Sequence, residues 1–161
     1  MSLSVISRGR SLLALAVILT LTPLGEATSS DRDRFELFSD CQPIYLLVEN
    51  LSPAAVEIGL AKEAIQAAVE SRLRSAQLYN LEASTPFLYV YVHVVGIAFH
   101  IDLEYNKQLL DPASGFTSRA ITWSTGTTGT HGRDASFILA SVSELMDLFL
   151  VEFLRVNEGA C

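Results

Sequence analysis

The chain has 161 residues, half of them apolar, with 11 basic against 18 acidic side chains and a net charge of −7. An acidic balance excludes the broad basic surfaces that hold nucleic acid or anionic membranes, and the apolar content excludes a disordered chain.

The first segment sets the compartment. Arg8 and Arg10 precede an apolar run from Leu12 to Leu21 broken only by Thr20, and Pro23 and Gly25 then break any helix. Gly25-Glu26-Ala27 places small residues at the two positions a signal peptidase reads, so residues 1–27 are predicted to be a secretory signal peptide. The apolar run is too short to span about 30 Å of hydrocarbon, and no integral membrane segment is expected once it is removed. Lipidation at Cys41 is not expected, because Asp40 precedes it and a polar stretch separates it from the apolar run. The expected location is the periplasm or the medium of a Gram-negative bacterium. Removing Arg8, Arg10 and Glu26 (two positive charges, one negative) takes the net charge to −8.

Both cysteines, Cys41 and Cys161, lie beyond the signal, and an even count in an exported protein predicts an internal disulfide. A free thiol or an intermolecular bridge is the alternative. Residues 28–40 are polar and read as a tether or loosely packed arm, leaving 41–161 as a single domain. Within it, Ile44–Val48 reads as a strand and Asn50–Gly59 as a loop. Leu60–Leu78 reads as a helix whose stripe is Ile65, Val69, Leu73 and Ala76. Asn80–Pro86 is a loop, Phe87–Lys107 a hairpin around Gly96, Asp111–Gly115 a turn, and Arg119–Ser124 a fourth strand. A Gly/Thr-rich loop over 124–133 leads to Asp134, a good N-cap for a helix from Ala135 to about Val156. The predicted fold is α+β: a two-layer sandwich in the order β-α-β-β-β-α, with a mostly antiparallel four-stranded sheet and two helices on one face.

The hairpin tests itself. With a turn at Gly96-Ile97, Val94 faces Phe99, Val92 faces Ile101, Val90 faces Leu103 and Leu88 faces Tyr105, all toward the core. The other face pairs His93 with His100, Tyr91 with Asp102 and Tyr89 with Glu104. A slip of one residue would scramble this separation. Carried through the next turn, the pattern puts Trp123 near Leu103 on the core side and Thr122 with Ser124 on the polar side.

The last helix carries a stripe of Ile138, Val142, Leu145, Phe149, Phe153 and Val156, yet Phe137, Leu139, Met146, Leu148, Leu150 and Leu154 are apolar too. Such a helix is buried on more than one side. Either the core wraps it, or residues 137–154 meet a second subunit or an envelope protein.

The candidate binding residues are Tyr89, Tyr91, His93, His100, Asp102 and Glu104, since tyrosines offer broad area with polar tips. His93, His100 and Asp102 form an alternative metal site: cross-strand imidazoles lie close enough to share Zn²⁺, with Asp102 as third ligand. The Gly126–Asp134 segment has amides, His131 and Arg133 for an anion, but no P-loop pattern, and Asp134 competes for the amides. No nucleophile elbow or C-x-x-C occurs. The expectation is a non-catalytic binding or envelope-assembly module needing no cofactor, with a zinc-binding protein or zinc enzyme as the alternative.

Glu70-Ser71-Arg72-Leu73-Arg74, Asp111-Pro112-Ala113-Ser114-Gly115 and Phe153-Leu154-Arg155-Val156-Asn157 running to Cys161 resemble small exported proteobacterial proteins of unknown function, over about 41–161. The segment order also looks like the small domains of envelope assembly lipoproteins and curli-secretion-type proteins. The resemblance implies export in a bacterial setting and carries no catalytic residues.

Overall fold

A computed structural model describes residues 30–161, so the signal-peptide reading of 1–27 lies outside the described residues. The elements are α1 (Asp31–Leu37), β1 (Ile44–Val48), α2 (Pro53–Glu57), α3 (Lys62–Ser75), β2 (Tyr79–Asn80), β3 (Phe87–Val95), β4 (Ala98–Leu110), β5 (Thr117–Thr130) and α4 (Ala135–Val156). The strands make one sheet in the order β2-β1-β3-β4-β5.

The β3–β4 register is the predicted one, with His93 opposite His100, Tyr91 opposite Asp102 and Tyr89 opposite Glu104. Leu88, Val90, Val92 and Val94, with Phe99, Ile101, Leu103 and Tyr105, are buried beneath the helices. Elsewhere the sheet departs from expectation. It has five strands rather than four, and it is mixed, because β1 runs parallel to both β2 and β3. Parallel neighbours require a crossover, which α2 and α3 supply between β1 and β3. The added strand, Tyr79–Asn80, is two residues long and leaves no periodicity to read.

The Gly/Thr segment is strand up to Thr130 and a turn only over 131–133. β5 continues through it to Thr130, with Gly126 opposite Asp102 and Gly129 opposite Phe99. These glycines mark close approach, not a turn. A Cβ at 126 would lie 2.6 Å from both Asp102 Oδ1 and the Ile101 carbonyl oxygen, and one at 129 would lie 2.9 Å from the Phe99 ring. Because the Ile101 oxygen is backbone, Gly126→Ala is expected to destabilise the fold by about 1–3 kcal/mol. Thermal melting checks this; an unchanged melt would show that β4 and β5 are not so close.

An irregularity at Tyr105/Asn106 leaves Thr122 without a cross-strand partner, while Trp123 pairs with Tyr105 rather than Leu103. The extra residue turns Thr122 away from the polar face expected for it. Its side chain is buried and its hydroxyl donates to the Glu36 carbonyl at 2.6 Å.

That contact belongs to α1, the segment read from sequence as a loose arm. Ser30 and Asp33 close a capping box on it. Leu37 is buried, Asp33 pairs with Arg155 at 2.7 Å, and the Lys107 ammonium donates to the Phe35 and Phe38 carbonyls. Among the described residues there are therefore four helices, not two.

α3 and α4 lie against the core face. Ile65, Val69 and Leu73 are buried as predicted, in a helix that starts two residues later and ends three earlier than expected. On α4 the buried stripe is Ile138, Val142, Met146, Phe149, Phe153 and Val156, with Met146 in the place assigned to Leu145. Phe149 and Phe153 pack on Tyr105, and Phe149 also meets Trp123 at 5.2 Å between centroids.

Cys41 and Cys161 form the predicted disulfide, with Cα atoms 5.2 Å apart. Beside it Asn157 is fully buried, and its carboxamide oxygen accepts from the Ser39 and Cys41 amides at 3.0 and 3.3 Å. Its amide nitrogen donates to the Leu37 and Phe153 carbonyls at 3.1 and 2.9 Å. The clamp holds Asp40 and Cys41 at left-handed φ values of 55° and 53°.

Candidate functional site

Strand alternation sends every second side chain of β1, β3, β4 and β5 away from the helices. The resulting face carries Tyr45, Leu47 and Glu49 from the first strand and its end, and Phe87, Tyr89, Tyr91 and His93 from the next. His100, Asp102, Glu104, Ser124 and Thr128 continue it. All are half-buried or exposed, and none is part of the core.

The polar atoms are interlinked. The Tyr89 hydroxyl donates to Glu49 Oε2. That bond to a carboxylate, followed by partial burial, pushes the Tyr89 hydroxyl up to about 12, so it stays protonated and a donor. Glu104, opposite Tyr89, is raised above the usual carboxylate range, first by burial and second by the neighbouring Asp102 charge. The His100 ring uses both nitrogens: Nε2 meets Asp102 Oδ2 at 2.7 Å and Nδ1 meets Thr128 Oγ1 at 2.8 Å. Tyr91 and His93, two apart on one strand, stack with centroids 5.9 Å apart and planes 8° from parallel.

The six binding residues expected from sequence thus share one face. The three proposed as zinc ligands lie on that face as well, but their side chains do not converge. His93 stacks on Tyr91, while His100 is engaged by Asp102 and Thr128. Among the described residues no group of three or more His, Cys, Asp or Glu side chains is placed to hold a metal ion.

Sequence reading missed two parts of this face. Glu49 and Tyr45 reach it through the parallel β1–β3 pairing, a long-range contact; only the alternation of Tyr45 and Leu47 with buried Ile44, Leu46 and Val48 hinted at it. At the far end of the face Tyr45, Leu47, Phe87, Gln108 and Arg119 line an open groove of about 480 Å³. The Arg119 guanidinium lies 5.9 Å from the Phe87 ring centre.

The segment considered for an anion is otherwise occupied. His131 is buried, with Nε2 3.1 Å from the Gly96 carbonyl and Nδ1 accepting from the Arg133 amide at 3.0 Å. Asp134 takes the Ser136 amide at 2.9 Å. His131 thereby ties the β3–β4 turn to the entry of α4.

Among the described residues no helix is long and apolar enough to cross a membrane. No protein-family model and no curated protein matches the chain. Among solved structures, the chain is similar to the PelC L103M dodecamer from Paraburkholderia phytofirmans, with 13% identity over 73% of this chain and 88% of that one, at a TM-score of 0.38.

Proposed function

We propose that the protein is an exported binding module, not an enzyme, and that it takes an extended, positively charged polypeptide segment on its open sheet face. The observation that carries the reading is the uncovered row of Tyr89, Tyr91 and His93 beside the carboxylates of Glu49, Asp102 and Glu104. Flat rings attract cationic side chains and exposed carboxylates pair with them. The disulfide supports an oxidising, exported location, and the acidic net charge speaks against nucleic acid as partner. The zinc reading gains no support from the side-chain arrangement.

Titration with a short lysine- and arginine-rich peptide, followed by amide NMR shifts, tests this. Perturbations are expected at Tyr89, Tyr91, His93, Asp102 and Glu104, and Asp102→Asn or Glu104→Gln is expected to weaken binding by about tenfold each. Because Glu104 is raised, it takes up its proton at higher pH than a free glutamate, so affinity falls earlier on acidification than it would for an unperturbed glutamate. Equal binding of a glutamate-rich peptide would sink the reading.

A second reading concerns α4, where Phe137, Leu148 and Val151 are 50%, 43% and 67% exposed. Exposed apolar side chains on both sides of the exposed Glu144 on one helix face suit assembly with a second copy or an envelope protein.

A further inference from the structure

The free edge of the sheet lies directly below that helix face. β5 is the last strand, fourteen residues long, and from Ile121 to Thr130 it carries no charge and no proline. Soluble proteins guard such edges with lysine, proline, a bulge or a covering element. Here the irregularity at Thr122 and the α1 contact through Glu36 protect only one end. From Trp123 to Thr130, among the described residues, backbone hydrogen bonding runs to β4 alone.

α4 runs antiparallel above this edge. Its Glu152 accepts from the Trp123 indole at 2.7 Å, and Phe137 meets the ring of Phe99, which presses on Gly129. Leu148 stands one turn before Glu152 on the same side. Exposed apolar groups therefore flank both ends of the unguarded stretch, Leu148 toward Trp123 and Phe137 toward Gly129.

We infer that this surface pairs with a second copy of the chain, β5 against β5 antiparallel with Thr127 on the two-fold axis. The inference rests on the assembly reading of α4 and adds the strand edge to it. The two-fold operation exchanges the ends of the helix face, so Phe137 of one copy comes to the Leu148 end of the other. The edge is uncharged, so it demands no complementary charge, and an antiparallel copy satisfies both rows of backbone groups alike. Centred on Thr127, the seven paired residues from Ser124 to Thr130 extend about 24 Å. With the helix layer, the paired surface is about 20 Å deep, a flat footprint of about 500 Å². Side-chain relief brings that toward the roughly 800 Å² of accessible surface per partner in a standard interface.

The register is testable, because it sets Ser124 opposite Thr130 of the second copy. Sedimentation of the purified protein is expected to give a dimer. S124K/T130K places like charges face to face twice and is expected to weaken the dimer by about tenfold, whereas S124K/T130E sets opposite charges together and keeps it. Both variants are exposed on the polar face, and circular dichroism melts confirm their folding. A dimer indifferent to S124K/T130K overturns the strand pairing; if L148K then dissociates it, the α4 reading stands without the edge. A wild-type monomer overturns both.

Discussion

Replacing Cys41 and Cys161 together by serine is expected to lower the free energy of unfolding by about 4–5 kcal/mol. The bond joins residues 120 apart, so it encloses nearly the whole described fold. Constraining so long a loop removes more freedom from the denatured chain than a short one would, and the cost of losing it scales accordingly. A domain of this size has about 5–15 kcal/mol in hand, so the loss takes about a third or more of the total and the variant melts far earlier. Guanidinium unfolding checks this, and reductant acting on the wild type, whose Cys161 is exposed, should reproduce the shift. The native NMR spectrum away from the bond should barely change, because the Asn157 clamp holds the same ends. A loss below about 1 kcal/mol would mean that the denatured chain is already closed by other contacts.

Asn157→Ala is expected to cost about 2–4 kcal/mol, a large effect for one small side chain. It strips partners from the Ser39 and Cys41 amides and from the Leu37 carbonyl at once, while the Phe153 carbonyl keeps the residue-157 backbone amide at 3.0 Å. Buried groups left unpaired carry the full desolvation penalty, and two successive left-handed residues lose the contact that holds them. Asn157→Asp separates the roles. A carboxylate still accepts from both amides but faces two carbonyls as a like-charged neighbour, so its stability should recover as pH falls and the group gains a proton to donate. Combined with the cysteine substitutions, the effect should be less than additive or more than additive, but not independent, since both features secure one junction. Strict additivity would separate them.

The parts of this fold legible in sequence are those written in unbroken period-two alternation. Phe87 to Tyr105 alternates over two adjacent strands joined by two residues, so register, faces and all six binding candidates follow from one decision. The Cys41–Cys161 pair needed only arithmetic. What was illegible depends on contacts distant in sequence. The parallel placement of β1 brings Glu49 to Tyr89, and nothing local announces it. Thr125 to Thr130 has the composition of a loop; its glycines are there because Asp102 and Phe99 lie against them, which only the neighbouring strand reveals. α1 is charged at most positions and is held by Leu37 and by polar contacts to Arg155 and Thr122, so its binding to the body leaves almost no apolar signature. For the histidines, sequence gives the positions but not the rotamers, and the rotamers decide that His100 serves Asp102 and Thr128.

The two ends of the described chain meet, with Asp33 on Arg155 and Cys41 on Cys161. A pull applied between the segment ahead of Asp31 and the final residue therefore travels through α1 into the sulfur–sulfur link and stops there. Among the described residues, only the ten or so before Cys41 can pay out, about 35 Å of extension. Every described strand lies inside the closed ring and is sheltered from the load, so the fold tugged between Asp31 and Cys161 would yield one small step and then behave as an inextensible bead.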